Sequence, residues 1–254
     1  MPCFSAAVAI NSTTASTAEA TAKEITDASG EAVVHIGSVA DREVAHAIVK
    51  AAIDNFGRID IVINNADGAD GGDFDQTSDD KLWNMLGIHV GGSWNVTQAA
   101  WPQMKSQKFG RVIMIASPVM FGSAQQSTYG AAKLALMGLA KSIAIEGKEH
   151  NILVNTVAPM AYTPGSAAFV TDDQTKAFME AGMPARDVAQ TVAWLVTRIF
   201  LAEGRGYFGP ADQDWTVESV RDNWDKVVDE TEFTISTDMA EFSPKIFQRL
   251  VTRQ

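Results

Sequence analysis

The sequence predicts an α/β fold, a doubly wound parallel sheet flanked by helices, built as one domain over residues 1–254. Three observations predict it. Short runs rich in β-branched residues alternate with longer stretches whose apolar residues recur at three-to-four spacing. The short runs are almost continuously apolar, as strands buried on both faces must be. The length of 254 residues and the 46% hydrophobic content supply core for such a domain.

In chain order, AAVAI predicts a strand over 6–10, and the periodic stretch after it a helix over 16–29. A strand over 32–36 and a helix over 41–56 follow, with Gly57 where a C-cap belongs. The next strand, 59–63, runs into an acidic loop. Thr77 with Asp80 three residues on offers a cap for a long helix over 78–106, and Gly110 sits at its far end. A strand over 111–116, a helix over 124–149 and a strand over 152–157 continue the alternation. Pro164, Gly165, Gly182 and Pro184 punctuate 162–184, which reads as a loop or lid over a site. A helix over 185–202, a short strand near Tyr207 and a helix over 217–229 complete the reading, residues 210–254 forming a C-terminal extension.

The formal charge of −11 excludes nucleic acid and anionic membrane surfaces as natural partners and leaves small molecules or another protein. The single cysteine, Cys3, excludes an intramolecular disulfide and a Cys-rich zinc site. The N-terminal segment has no basic region, and no apolar run approaches the ~20 residues that span a bilayer, so a soluble, cytoplasmic protein is expected. In IVINNADGADGGDFDQTSDD, Asp67, Asp70, Asp73 and Asp75 lack the alternation and closing glutamate of a calcium loop. No metal site is expected there. Asp79 and Asp80 suit the positive end of the helix they begin.

Tyr129 and Lys133 stand four apart in a helical pattern, so they share one face, and the strand before them ends at Ser117. An ammonium beside a phenol favours the phenolate, and a strand-end hydroxyl can hold a substrate oxygen next to it. The pair alone is too common to decide anything. It stands, however, within FGRIDIVINNA, HVGGSWNVTQAAWPQMKSQKFGRVIM, STYGAAK, LAKSIAIEGKEHNILVNTVAP and VRDNWDKVVD. With these motifs the chain resembles the short-chain dehydrogenase/reductase family over roughly residues 6–229, and within it the dehydrogenase part of the peroxisomal multifunctional enzymes. The resemblance implies a Rossmann-like fold, Ser117, Tyr129 and Lys133 as the reaction triad, and a homodimer or homotetramer packed through the long helices. His89 falls where most of the family has asparagine; a proton relay and a satisfied helix histidine both remain open for it.

The chain also departs from the family pattern. The family's opening strand and Gly-x-x-x-Gly-x-Gly turn, which approach the cofactor pyrophosphate, have no counterpart; AAVAIN matches the family's second strand. An N-terminally truncated sheet, with first strand and helix absent and a gap at its centre, is therefore expected. Gly37 replaces an aspartate that binds the adenine end, and Asp67 replaces a glycine next to the dinucleotide. Asn64, Ala66 and Pro159 remain as a vestige of the cofactor site. Ser117 lies twelve residues before Tyr129, one fewer than usual.

These departures lead to the expectation of no NAD(P) cofactor. The leading functional reading is a Ser-Tyr-Lys site doing cofactor-independent acid/base chemistry, a cyclisation, isomerisation or dehydration of a small oxygenated substrate, with Tyr129 as donor. The alternatives are an NAD(P)-dependent oxidoreductase of hydroxyacyl or related alcohol and ketone substrates, and an inactive scaffold or heteromeric partner. Trp83, Trp94, Trp101 and Met120 are read as core residues before cleft residues.

Overall fold

The computed structural model describes residues 6–167, 170 and 172–197. Among these, the sheet consists of two parallel ladders. In the first, β1 (Ala7–Ser12) pairs with β2 (Glu31–Ile36), in register from Ala7 against Glu31 to Ser12 against Ile36. In the second, β4 (Gly110–Ile115) lies between β3 (Ile61–Asn64) and β5 (Ile152–Val157). Parallel strands need helical crossovers. They are α1 (Ala15–Asp27), α2 (Arg42–Phe56), the pair α3 (Asp79–Leu86) and α4 (Gly92–Gln107), and α5 (Ser127–Gly147). The expected Rossmann-like layering is thus present.

Local chemistry fixes the element ends. The Asp41 carboxylate accepts from the backbone of Glu43 and Val44 and starts α2. Gly57, at φ +75°, ends it in the left-handed conformation that glycine adopts without strain. Two caps differ from expectation. Lys108, not Gly110, takes the left-handed position after α4; Gly110 opens β4, where a Cβ would lie 2.7 Å from the Met104 sulfur. Ser78, not Thr77, caps α3, because the Thr77 hydroxyl donates to the Asp73 carbonyl. The single long helix expected over 78–106 is widened by a π-helical turn, Gly87–Gly91, between α3 and α4.

Beyond β5, the short α6 (Pro164–Ala167) and α7 (Asp173–Gly182) precede α8 (Ala185–Thr197). A single bridge between Tyr162 and Pro184 draws together the two ends of the stretch read as a lid. The strand near Tyr207, the helix over 217–229 and the extension over 210–254 lie outside the described residues. No helix among the described residues is long and apolar enough to cross a membrane.

The main core lies between the second ladder and α2, α4 and α5: Val62, Val112, Met114, Ile152 and Val154 pack with Val49, Ala100, Met104 and Leu136. On the opposite face Ile113 packs against Val192 and Leu195 of α8. Ile63 is the register partner of Ile113 and so shares that face, yet it is 49% exposed. Among the described residues β1 and β3 are not joined by a ladder, so each presents an edge, and the face beside β3 is uncovered. Trp83 and Trp94, read as core, are instead 66% and 47% exposed on α3 and α4, while Trp101 packs against the core. The helical period places a residue on a face; it does not say whether that face is covered.

The two isoleucines offer a direct test of this division. Ile113→Ala is expected to destabilise by about 2–5 kcal/mol, and Ile63→Ala by about 1 kcal/mol or less, since half of its side chain already faces water. Urea denaturation measures both; equal losses would mean that Ile63 is covered.

Candidate functional site

The site forms where the C-terminal ends of β3 and β4 meet the start of α5. β4 delivers Ser117 two residues past its end, where the serine Oγ accepts from the Val119 N–H at 3.3 Å and caps the short turn Pro118–Phe121. This fixes the hydroxyl at the strand tip. Tyr129 and Lys133 lie one turn apart in the first half of α5, as the spacing required. Lys133 Nζ lies 5.2 Å from the Tyr129 ring centroid, and the Ser117 hydroxyl is the polar neighbour of the Tyr129 hydroxyl.

His89 sits in the π-helical turn and is 1% exposed. Such turns swing a side chain out of the regular helical register. The His89 ring meets Tyr129 edge-to-face, with centroids 5.4 Å apart and planes at 84°. Its Nε2–H donates to the Gly68 carbonyl at 2.9 Å, which sets the tautomer. Burial, and then the Lys133 charge, hold the ring below the usual histidine range, so His89 is neutral at pH 7.

One participant was misread from sequence. Asp67 lies just past β3, with Oδ1 3.1 Å from Lys133 Nζ and 3.5 Å from His89 Nε2. Lys133 also donates to the Ile115 carbonyl at 2.9 Å, and its side chain is 3% exposed. Burial lowers the lysine's proton affinity and Asp67 opposes that effect. The Tyr129 hydroxyl is pushed up to about 12, first by burial and next by the Asp67 charge; the neighbouring Ser117 hydroxyl works the other way. The tyrosine is thus a phenol, with burial and Asp67 as the causes. Sequence spacing carries no signal for this pair, because Asp67 lies in the loop after β3 and Lys133 far along the chain in α5.

The remaining candidates are placed differently. Asn64 is buried, and its Nδ2 donates to Thr97 Oγ1 at 2.9 Å, so it ties the end of β3 to α4. Ala66 is exposed on the loop before Asp67, and Pro159 is half-buried beyond β5. In the acidic loop, Asp70 pairs with Lys81 at 2.7 Å and Asp73 accepts from Gln125 at 2.9 Å. Among the described residues no group of three His, Cys, Asp or Glu side chains is placed to hold a metal ion.

Comparison with known proteins places this geometry. A family model described as short chain dehydrogenase matches residues 5–175. Mouse peroxisomal multifunctional enzyme type 2 is 36% identical over 235 residues, covering 84% of this chain but 31% of the mouse protein, so the chain spans about a third of that relative. The (2S)-[(R)-hydroxy(phenyl)methyl]succinyl-CoA dehydrogenase subunit BbsD of Thauera aromatica is 31% identical over 199 residues, 78% of this chain and 79% of the relative. A gluconate 5-dehydrogenase from Burkholderia cenocepacia J2315, solved with NADP and tartrate, superposes with a TM-score of 0.67 at 25% identity over 75% of this chain and 78% of its own.

These findings overturn the expectation of no cofactor, and with it the cofactor-independent lyase or isomerase reading. The family is one of dehydrogenases, and a solved member of the same fold carries NADP. Two of the departures behind that expectation have local physical causes. The Asp67 carboxylate is neutralised by the Lys133 ammonium 3.1 Å away, so it is not a bare negative charge facing an anionic ligand. Gly37 stands at φ +148°, and a Cβ there would lie 2.7 Å from Val44 Cγ1, so this turn requires glycine for its own backbone. The chain belongs to the short-chain dehydrogenase family.

Proposed function

We propose that the protein is an NAD(P)-dependent oxidoreductase that interconverts an alcohol and a ketone, with hydroxyacyl thioesters as the substrate class. The observation that carries this reading is the convergence of the Tyr129 hydroxyl, the Ser117 hydroxyl and the Lys133 ammonium at the C-terminal end of β4. Open α/β sheets bind their ligands at that end of the strands. The name of the Thauera relative, a hydroxy(phenyl)methylsuccinyl-CoA dehydrogenase subunit, supports the substrate class, and the NADP of the Burkholderia structure supports the cofactor.

The donor set suits a nicotinamide dinucleotide at its reacting end. Lys133 would donate to it, and Ala66 and Pro159, beyond the ends of β3 and β5, would border it. When bound, that group gives or takes the hydride. The chain's own residues handle the proton and the oxygen. Ser117 donates to the substrate oxygen and holds it beside Tyr129, and Tyr129 gives that oxygen its proton in the reducing direction. The Lys133 ammonium stabilises the negative charge left on the phenolate. His89, neutral and bonded to Gly68, packs the tyrosine ring in place. The stretch over 162–184 is proposed as the lid, its ends joined by the Tyr162–Pro184 bridge.

A homo-oligomer packed through α4 and α5 is part of this proposal, supported by Trp94, Leu134 and Ile145, which are exposed on those helices. The mouse relative is peroxisomal by name. The test is titration calorimetry with NAD+, NADH, NADP+ and NADPH, joined to a nicotinamide absorbance assay on a panel of hydroxyacyl and ketoacyl thioesters. One dinucleotide is expected to bind in the micromolar range and to support turnover. Absence of both would sink the oxidoreductase reading.

A further inference from the structure

Asp67 has no part in the proton transfer as described above, yet it touches every ionisable member of the site. Its Oδ1 is 3.1 Å from Lys133 Nζ and 3.5 Å from His89 Nε2, and its charge acts on the Tyr129 hydroxyl. Its position is fixed by its neighbour. The Gly68 carbonyl accepts from His89 Nε2 at 2.9 Å, and a Cβ on Gly68 would lie 3.1 Å from Ile88 Cδ1 and 3.3 Å from Met85 Cε, so the loop is pressed against the π-helical turn. The carboxylate therefore projects from a pinned backbone. Lys133 is held in turn between this carboxylate and the Ile115 carbonyl.

We propose that Asp67 is a positioning residue that engages the Lys133 ammonium in a fixed ion pair and keeps Tyr129 a proton donor across the neutral range, so that the oxidising direction reaches full rate only at alkaline pH. This rests on the oxidoreductase reading. The ionisable groups around the Tyr129 hydroxyl come from three elements: Asp67 from the loop after β3, His89 from the π-helical turn, and Lys133 from α5 itself. Ser117, after β4, adds a neutral hydroxyl. With His89 neutral, Asp67 is the negative charge beside the phenol and Lys133 the positive one. A lysine paired with a carboxylate gives a neighbouring phenolate less support than one with its full charge unmatched. In the reducing direction the substrate oxygen takes the Tyr129 proton, and the phenolate left behind regains one from water. In the oxidising direction the phenolate has to be present first, to accept the proton of the substrate hydroxyl.

The test reads the tyrosine directly. In a Tyr162→Phe/Tyr207→Phe background, Tyr129 is the sole tyrosine remaining of three, and its ionisation is followed by tyrosinate absorbance in the free protein. The parent is expected to show no ionisation up to about pH 11, while Asp67→Asn ionises at lower pH. The pH profile of kcat/KM for oxidation is expected to level off earlier in Asp67→Asn, with a gain on the order of tenfold at pH 8 for each unit by which the midpoint falls. Asp67→Glu, which retains the charge, is expected to restore the parent titration. An unchanged Tyr129 ionisation in Asp67→Asn, with circular dichroism showing it folded, would overturn the proposal. The absorbance titration needs no dinucleotide and no turnover, so its outcome is separate from any failure of the oxidoreductase reading.

Discussion

Tyr129→Phe is expected to lower kcat by about 10²–10⁴-fold while leaving KM within a few-fold of its original value. The hydroxyl is the group in the site that carries a transferable proton at neutral pH: its proton is held to about 12, His89 is neutral with its Nε2–H committed to Gly68, and Lys133 is committed to Asp67 and Ile115. Water would have to replace it, without the fixed geometry. The variant also isolates the chemistry from the fold. Phenylalanine keeps the edge-to-face contact with His89 and the packing at the start of α5, so the variant removes the hydroxyl beside Ser117 and Asp67 and little else. Steady-state kinetics with the identified thioester, alongside thermal denaturation, makes the check. Undiminished kcat in the Tyr129→Phe variant would remove Tyr129 from its assigned role.

The difference between what was legible in the sequence and what was not follows the range of the interactions. Tyr129 and Lys133 were placed on one face because four residues of helix leave them little freedom, and the structure has them one turn apart on α5. The strands were legible because burial on both faces leaves an apolar run that needs no partner to be recognised: β4, paired along its length with β5 and over four residues with β3, is the clearest case. Asp67 shows the opposite. Its meaning depends on where a glycine-rich loop places it relative to a helix far along the chain, and charge read without its partner suggested repulsion where there is an ion pair. Trp83 and Trp94 failed for a related reason, since the sequence carries the period of a helix face but not what lies opposite it. Among the described residues no ladder joins β1 and β3, and the residues of either strand carry no mark of which neighbour it pairs with.

Lys133→Met is expected to abolish most activity, by about 10²-fold or more, in a protein at least as stable as the parent. The two effects come from the same burial. Holding an ammonium in a site where its side chain is 3% exposed costs several kcal/mol of desolvation, which its bonds to Asp67 and the Ile115 carbonyl offset only in part. Methionine fills a similar volume without that cost; exchanging a whole buried ion pair for apolar side chains is typically neutral or stabilising by about 1–4 kcal/mol, whereas removing one partner destabilises when the charge left behind stays buried. Against this stands the carboxylate left behind. Asp67 is 51% exposed and can turn to water, so its loss of a partner costs far less than that of a buried ion, and the released Ile115 carbonyl forfeits roughly 1 kcal/mol. The balance favours an unchanged or raised Tm. Catalysis moves the other way, because Tyr129 is left with Asp67 as its charged neighbour and without the cation that stabilises its phenolate. A negative neighbour raises the pKa of a phenol, so the sign is definite: the alkaline limb of the oxidation profile shifts to still higher pH, opposite to the shift in Asp67→Asn. Differential scanning fluorimetry and the pH profile together decide. A fall in Tm equivalent to several kcal/mol would make Lys133 a structural strut at the end of β4, whereas retained stability with lost turnover assigns its burial to the chemistry of Tyr129.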